Sequence, residues 1–461
     1  MPERIDELSP TGGAPAAAPR RTGLPDGWPV LALFGAFPIW WALGLSSLIW
    51  IILAVPMLAW LLARGRVRVP KGFGLWLATR PGLRVPKGFG LWWAFLFWML
   101  LSATQLDEAR RWYAFSYRAV LYVSMTIMFV YVYNLPRAAF PARRVVLALT
   151  LFWATVICFG FAALAAPDLR LTTPASLLLP ASIAANPFVQ DLFAARLAQV
   201  QTFIGYALPR PAAPFTYTNE WGGAVGLLTP MALAGLGMLR SYLTRNMVRL
   251  LLVASLVPIV ISANRGLWVG LGAGLVYAAV RVALRGNARS LVAILAFLAV
   301  IAALVTLTPL ERYVSDRLAH QHSTERRESL SSQAITGALE RPLLGYGGPR
   351  ESPDLVNAPE IGTHGQVYLV LFSQGVPGLA FFLGWWLWAL WISHRGATGP
   401  PLWCHVMLLI GMLEFLYYDM MPTQLHLMMV VAAVAWREQE AQAAAAQRRS
   451  GTETRETVAT R

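Results

Sequence analysis

An all-α integral membrane protein with about twelve spanning helices is the fold class that the sequence predicts. Of 461 residues, 57% are hydrophobic and 13% charged, against about 45–50% apolar and about 25% charged in an average soluble domain. The mean hydropathy of +0.52, with 19 Trp and 21 Phe, leaves more apolar surface than a soluble core could remove from water. Apolar stretches of about 20 residues, the length that crosses a ~30 Å hydrocarbon layer, recur along the whole chain. Cys158 and Cys404 both sit inside such stretches, so they imply neither a disulfide framework nor a metal cluster.

The first 27 residues contain TGGAPAAAP and no apolar run, which predicts a disordered tail and not a cleaved signal. Spans are then expected near 28–44, 46–63, 90–105, 112–133, 145–166, 220–239, 247–262, 266–284, 290–309, 366–393, 402–419 and 423–436. Pro29, Pro38 and Pro56 interrupt the first pair. The segment RVPKGFGLW, Arg68 to Trp76, recurs at Arg84 to Trp92; a local tandem duplication explains it, with Lys, Phe and Trp suited to the headgroup level. From Glu438 the chain turns Ala/Gln/Arg-rich and reads as a second disordered tail, so the polytopic domain is expected over 28–437.

Charge sets the direction. With a cytoplasmic N-terminus, the five internal cytoplasmic loops hold 17 Lys and Arg and no Asp or Glu, a strong positive-inside bias. The formal charge of +15 is therefore a topology signal facing anionic headgroups, and the nucleic-acid reading loses its support. Both termini are expected in the cytoplasm.

Two segments, 167–219 and 308–365, are too long and polar to be simple connections, and this topology puts both outside the cytoplasm. Long loops in compact folds are usually functional. The second contains an amphipathic stretch from Arg326 to Glu340, stopped by Pro342 and followed by Gly345-Tyr346-Gly347-Gly348, which predicts a helix and a turn. It ends with His364, just before a span. Between the spans near 247–262 and 266–284 the polar break is only Ser262 to Gly266. Arg265 there is opposed by the helix dipole, which favours an anion between it and the exposed N–H groups; a snorkelling interfacial arginine is the alternative.

In this order and spacing, APFTYTNEWGG entering a span, ANRG between two spans, and a loop of the form R…PLLGYG…H…G resemble the O-antigen ligase and polymerase superfamily of polytopic glycosyltransferases, over about 210–395. The resemblance implies transfer of a glycan from an undecaprenyl diphosphate carrier to an acceptor sugar, on a lipid-linked glycan or the lipid A core, with no metal or cofactor. It implies that Arg265, Arg327 and His364 are catalytic. Arg326 adjoins Arg327 and leaves that register open by one, while Ser331 and Gly365 depart from the aromatic and the small polar residue common in the family.

The residue types suit this chemistry. Two guanidiniums can grip diphosphate oxygens through paired donors as charge builds on the leaving group. A histidine near its ordinary pKa of ~6.5 can take the acceptor hydroxyl's proton. The competing readings are a helix-capping role for His364 and a surface salt bridge for Arg327 with Glu325 or Glu328. Arg210, in LPRPAAP, is a further candidate anion contact, and Glu360 a candidate partner of the imidazole. Arg118 and Glu414 lie at similar depths inside spans, so they are expected to meet in a cavity for the lipid headgroup, or as a structural pair.

A flippase or secondary transporter for lipid-linked glycans would also have about twelve helices and buried charges. Such folds usually show related halves, and no matching halves are visible here. A metal-using polyprenyl-phosphate sugar transferase would want acids in the first external loop, which here is only Gly44 to Ser46. Ligase and polymerase share the three central residues, so the sequence leaves that choice open.

Overall fold

A computed structural model describes residues 24–64, 67–68, 83–181, 186–201, 208–286, 289, 292, 322–352, 360–395 and 399–459. The chain is mostly helical, with three two-stranded ribbons and no closed sheet among the described residues. The helices are α1 (Trp28–Gly35), α2 (Phe37–Ala42), α3 (Ile49–Arg64), α4 (Phe89–Ser102), α5 (Ala109–Asn134), α6 (Ala142–Ala165), α7 (Thr218–Leu236), α8 (Tyr242–Ala254), α9 (Leu256–Ile261), α10 (Arg265–Ala283), α11 (His322–Glu340), α12 (Gln366–Ser393), α13 (Gly399–Glu414) and α14 (Thr423–Ala459), with short helical turns between α6 and α7.

Among the described residues, five helices are long and apolar enough to cross a membrane: Ala109–Asn134, Ala142–Ala165, Tyr242–Ile261 (α8 running into α9), Arg265–Ala283 and Gln366–Ser393. Ile49–Arg64 and Phe89–Gln105 are shorter apolar helices. The protein is thus a multi-pass membrane protein. The expected span near 290–309 lies outside the described residues, as does most of the first copy of the repeat. The two copies meet where they begin, Val67 and Arg68 (β1) pairing in parallel with Leu83 and Arg84 (β2), so equivalent residues of the duplication are paired through their backbones.

At the centre of the bundle, α7 packs against α6, α10, α13 and α14. Its glycines let these helices close in: a Cβ at Gly222 would stand 2.1 Å from Asn264 Nδ2, and one at Gly235 2.2 Å from Thr150 Oγ1. The aromatic core fills the other half, with Phe89, Phe129, Trp385 and Trp436 in ring contact.

One expectation is corrected here. The stretch from Glu438 is not a disordered tail but continues α14 to Ala459; Ala, Gln, Glu and Arg are strong helix formers, and Glu438 and Glu440 anchor its start on Arg137 and Tyr133. Among its described residues the 167–219 connection holds β3 (Arg170–Leu171) on β4 (Ala195–Arg196) and β5 (Ala198–Gln201) on β6 (Leu208–Pro211), both antiparallel.

Candidate functional site

One end of the bundle gathers the N-termini of α5, α7, α10, α12 and α14 with the C-terminus of α13, and the predicted site residues lie there. The break before α10 begins the construction. Ala263 takes a left-handed conformation, φ 49°, uncommon for a residue with a Cβ. Asn264 then caps the helix, its side-chain oxygen accepting from Leu267 N at 3.4 Å. Arg265 follows as the first helical residue. Gly266 has no room for a side chain, since a Cβ would stand 2.5 Å from Tyr418 Oη and 2.6 Å from Tyr417 Cε2. The ANRG break is therefore covered by a tyrosine pair from the α13–α14 connection. Tyr417 Oη donates to Gly266 O at 3.1 Å, and Tyr418 Oη donates to Asn264 Oδ1.

Arg210 reaches the same break from β6. It is buried, 4% exposed, and its Nε donates to Ser262 O at 2.5 Å. Arg327 arrives from α11. Burial chiefly pulls its pKa below the ordinary value, with the Tyr418 phenol opposing and the positive charge of Arg265 adding to the fall. Burial likewise pushes the Tyr418 phenol well up, while Arg327 and Arg210 oppose it. Burial lowers the local dielectric and lengthens the reach of each charge, so Arg327 lies within electrostatic reach of Tyr418 and Arg265, while Arg210 and Arg265 share the break that Tyr418 covers. The side chain of Arg326 lies outside the described residues.

The turn after α11 fixes where Arg327 sits. Gly345 and Gly347 have φ of 59° and 74°, which glycine adopts without steric cost. Tyr346 N and Gly347 N donate to Phe372 O and Ser373 O at 2.9 and 2.8 Å. Those carbonyls are available because α12 kinks at Gly375, φ 67°, where Val376 N turns back to Pro342 O at 2.8 Å. Turn and kink interlock: a Cβ at Gly345 would stand 2.4 Å from Phe372 O, and one at Gly375 2.4 Å from Leu343 O. Arg111 of α5 closes the clasp from below, its guanidinium donating to Tyr346 O at 2.6 Å, Gly348 O at 2.7 Å and Pro349 O at 3.2 Å. It also pairs with Asp107 at 2.5 Å.

His364 stands just before α12. Thr363 Oγ1 donates its one hydrogen to Glu360 O at 2.7 Å, so toward His364 Nδ1, 3.3 Å away, it can only accept. That geometry favours the Nδ1–H tautomer and leaves Nε2 as the basic nitrogen. Glu360 contributes through its backbone carbonyl; its carboxylate lies 3.8 Å from Arg110. Gly365 passes so close to Leu416 that a Cβ would stand 2.8 Å from its carbonyl oxygen, the local reason for glycine after the histidine.

The Arg118 to Glu414 contact is corrected. Arg118 faces a small cavity lined also by Tyr122, Gly347, Gly348 and Ser373, and the carboxyl that feels its charge is that of Asp419. Glu414 is fully buried in a slot between α7 and α10, where a Cβ at Gly226 would stand 2.6 Å from its Oε1 and one at Gly223 3.3 Å from its Oε2. Similar depth in two helices does not make their side chains face each other. Sequence reasoning missed Tyr417, Tyr418 and Arg111. The Asp107/Arg111 spacing is an i,i+4 signal, whereas the tyrosines read as an ordinary aromatic belt.

Fold and site together define a polytopic membrane protein whose helix N-termini, arginines and a loop histidine converge at one end of the bundle. Residues 250–383 match the O-antigen ligase family, a stretch that contains Arg265, Arg327 and His364, and the match supports membership of the O-antigen ligase superfamily. That family is of the ligase and polymerase type, acting in polysaccharide assembly. No curated protein matches the chain.

Proposed function

We propose that the protein is an inverting, metal-independent glycosyltransferase that moves a glycan from an undecaprenyl diphosphate carrier to an acceptor sugar hydroxyl, as an O-antigen ligase does. The observation that carries the reading is the convergence of Arg210 and Arg265 on the break that Tyr418 covers, with Arg327 within electrostatic reach of Tyr418 and Arg265, at the end of the bundle that bears His364. Planar guanidiniums suit phosphate oxygens through paired, charge-assisted donors. In a single displacement the acceptor oxygen attacks the anomeric carbon as its proton passes to His364 Nε2. The bond from that carbon to the diphosphate oxygen breaks, its electron pair leaves with undecaprenyl diphosphate, and the configuration inverts. The arginines offset the charge that builds on the leaving oxygen.

The charge pattern supports an orientation with both termini cytoplasmic and the site on the outer face of the bacterial inner membrane, in a bundle of about twelve spans with its large loop between the ninth and tenth. There the glycan acceptor would be a lipid A core; a growing lipid-linked chain would make the enzyme a polymerase. Arg118 lines the small cavity behind the loop turn and is kept as a contact for the lipid-linked glycan. Glu414 keeps a place in the reading only as part of the buried wall beneath Tyr417.

Deleting the gene and resolving surface glycans on a gel tests the function. An intact ladder left on the carrier lipid is the expected result; loss of the ladder above one repeat means polymerase, and unchanged surface glycans sink both. Transfer by purified protein in excess EDTA is expected at the full rate, and a rate restored only by added Mg²⁺ or Mn²⁺ would overturn the metal-independent step.

A further inference from the structure

The α13–α14 connection lies outside the stretch that matches the family, yet it touches both halves of the proposed site. On one side the Tyr418 phenol holds Asn264, the cap of the helix that begins with Arg265, and Tyr417 holds Gly266 O. On the other, Tyr418 O accepts from Gln366 N at 2.7 Å and Phe415 O accepts from Val367 N at 3.0 Å, and these are the first N–H groups of the helix that follows His364. A helix leaves such N–H groups without intrahelical partners, so what satisfies them fixes where the helix starts. Gln366 tightens the same join, donating to Tyr122 Oη at 2.9 Å and accepting from Met420 N at 3.2 Å. Tyr418 is 2% exposed and Asn264 3%, so water does not readily replace the bond between them.

We infer that Tyr418 is a positioning residue that sets the distance between the diphosphate-gripping arginine and the catalytic base, its phenol seating the Arg265 helix and its backbone carbonyl seating the His364 helix. This rests on the proposed roles of Arg265 and His364. The two links are separable, because Tyr418→Phe cuts the phenol and keeps the carbonyl. Binding of the diphosphate then suffers while proton removal keeps its pH dependence.

The test measures undecaprenyl diphosphate binding to detergent-purified protein, together with donor KM, kcat and the pH–rate profile. Variants are Tyr418→Phe, Asn264→Ala and the double variant, with Arg265→Ala for reference. Tyr418→Phe is expected to weaken binding about 3- to 10-fold, the range for one lost buried hydrogen bond, and to raise donor KM more than it lowers kcat, with the acid limb of the pH profile unmoved. In the Asn264→Ala background the same change is expected to do nothing further, because its partner is gone; a cycle of this kind cancels general effects on folding. Equal losses in both backgrounds, or wild-type binding by Tyr418→Phe while Arg265→Ala binds poorly, overturn the positioning role alone. If neither wild type nor Arg265→Ala discriminates the carrier, the proposed function fails and takes this inference with it.

Discussion

The two ends of the bundle are both rich in arginine, and Arg265 at the site end faces the opposite electrostatics from the arginines at the other end. Away from the site, helices present their carbonyl ends, and guanidiniums close on them. Arg143 reaches Met238 O at 2.9 Å, Arg245 reaches Leu239 O at 2.5 Å, Arg281 reaches His394 O at 2.7 Å and Arg437 reaches Leu135 O at 3.2 Å. Positive charge at a helix C-terminus agrees with the dipole. At the site end the N-termini gather, and Arg265 is the first residue of one. The same side chain stabilises the fold in one place and, in the proposed function, grips an anion in the other.

The largest effect expected is on chemistry alone. His364→Ala removes the proposed base and should lower transfer by about 10²–10⁴-fold, while carrier binding and the melting temperature stay as in wild type. Retained activity in the purified variant, assayed with carrier-linked glycan and acceptor, would sink the mechanism. Next come the arginines of the site end. Arg265→Lys and Arg327→Lys keep the charge and lose the fork, so both binding and rate should fall, and the alanine variants should fall further, by roughly 1.5–3 kcal/mol or about tenfold to 150-fold in affinity for undecaprenyl diphosphate. Wild-type binding by both would move the clamp to Arg326 and Arg210.

The opposite end should respond the other way. Arg281→Ala leaves His394 O and the Tyr277 hydroxyl, 3.0 Å from its Nη1, without their donor. Thermal unfolding should come earlier, by an amount corresponding to about 1–3 kcal/mol, with carrier affinity unchanged. A fall in affinity there would break the contrast between the ends. The smallest effect lies at the exposed edge of the clasp. The Arg111 side chain holds the Asp107 carboxyl below its ordinary pKa of 3.8. A depressed folded pKa contributes stability that is complete above that ordinary value and is lost as pH falls through the lower folded one. Asp107→Asn should therefore narrow the difference in melting temperature between pH 5 and pH 3 only slightly, and a large change would mean that Asp107 is more than a screened surface partner.

How much of this was legible depends on whether the cause is local. Hydropathy marks the spans because every backbone group in a spanning segment must be satisfied within it, and the stretch before Pro342 reads as a helix with the stop the structure shows. ANRG is legible for a similar reason, since cap and first turn are neighbours in sequence. Tyr418 is not, because its bond to Asn264 spans 154 residues. Arg118 and Glu414 were misjudged because depth along an axis says nothing of direction around it. The stretch beyond Glu438 was misjudged because its polarity reads as disorder, while its alanines favour helix.

The clasp between the Gly345 turn and the Gly375 kink also governs when the enzyme becomes an enzyme. The helix carrying Arg327 is synthesised before the kink that must receive it, so it has no seat until residues 372–376 have folded beside it. The N-terminus of the following helix is in turn held by Tyr418, nearer still to the end of the chain. Emerging piece by piece, the chain carries Arg265 before either of these seats exists, so the proposed site is assembled only once Tyr418 has joined it.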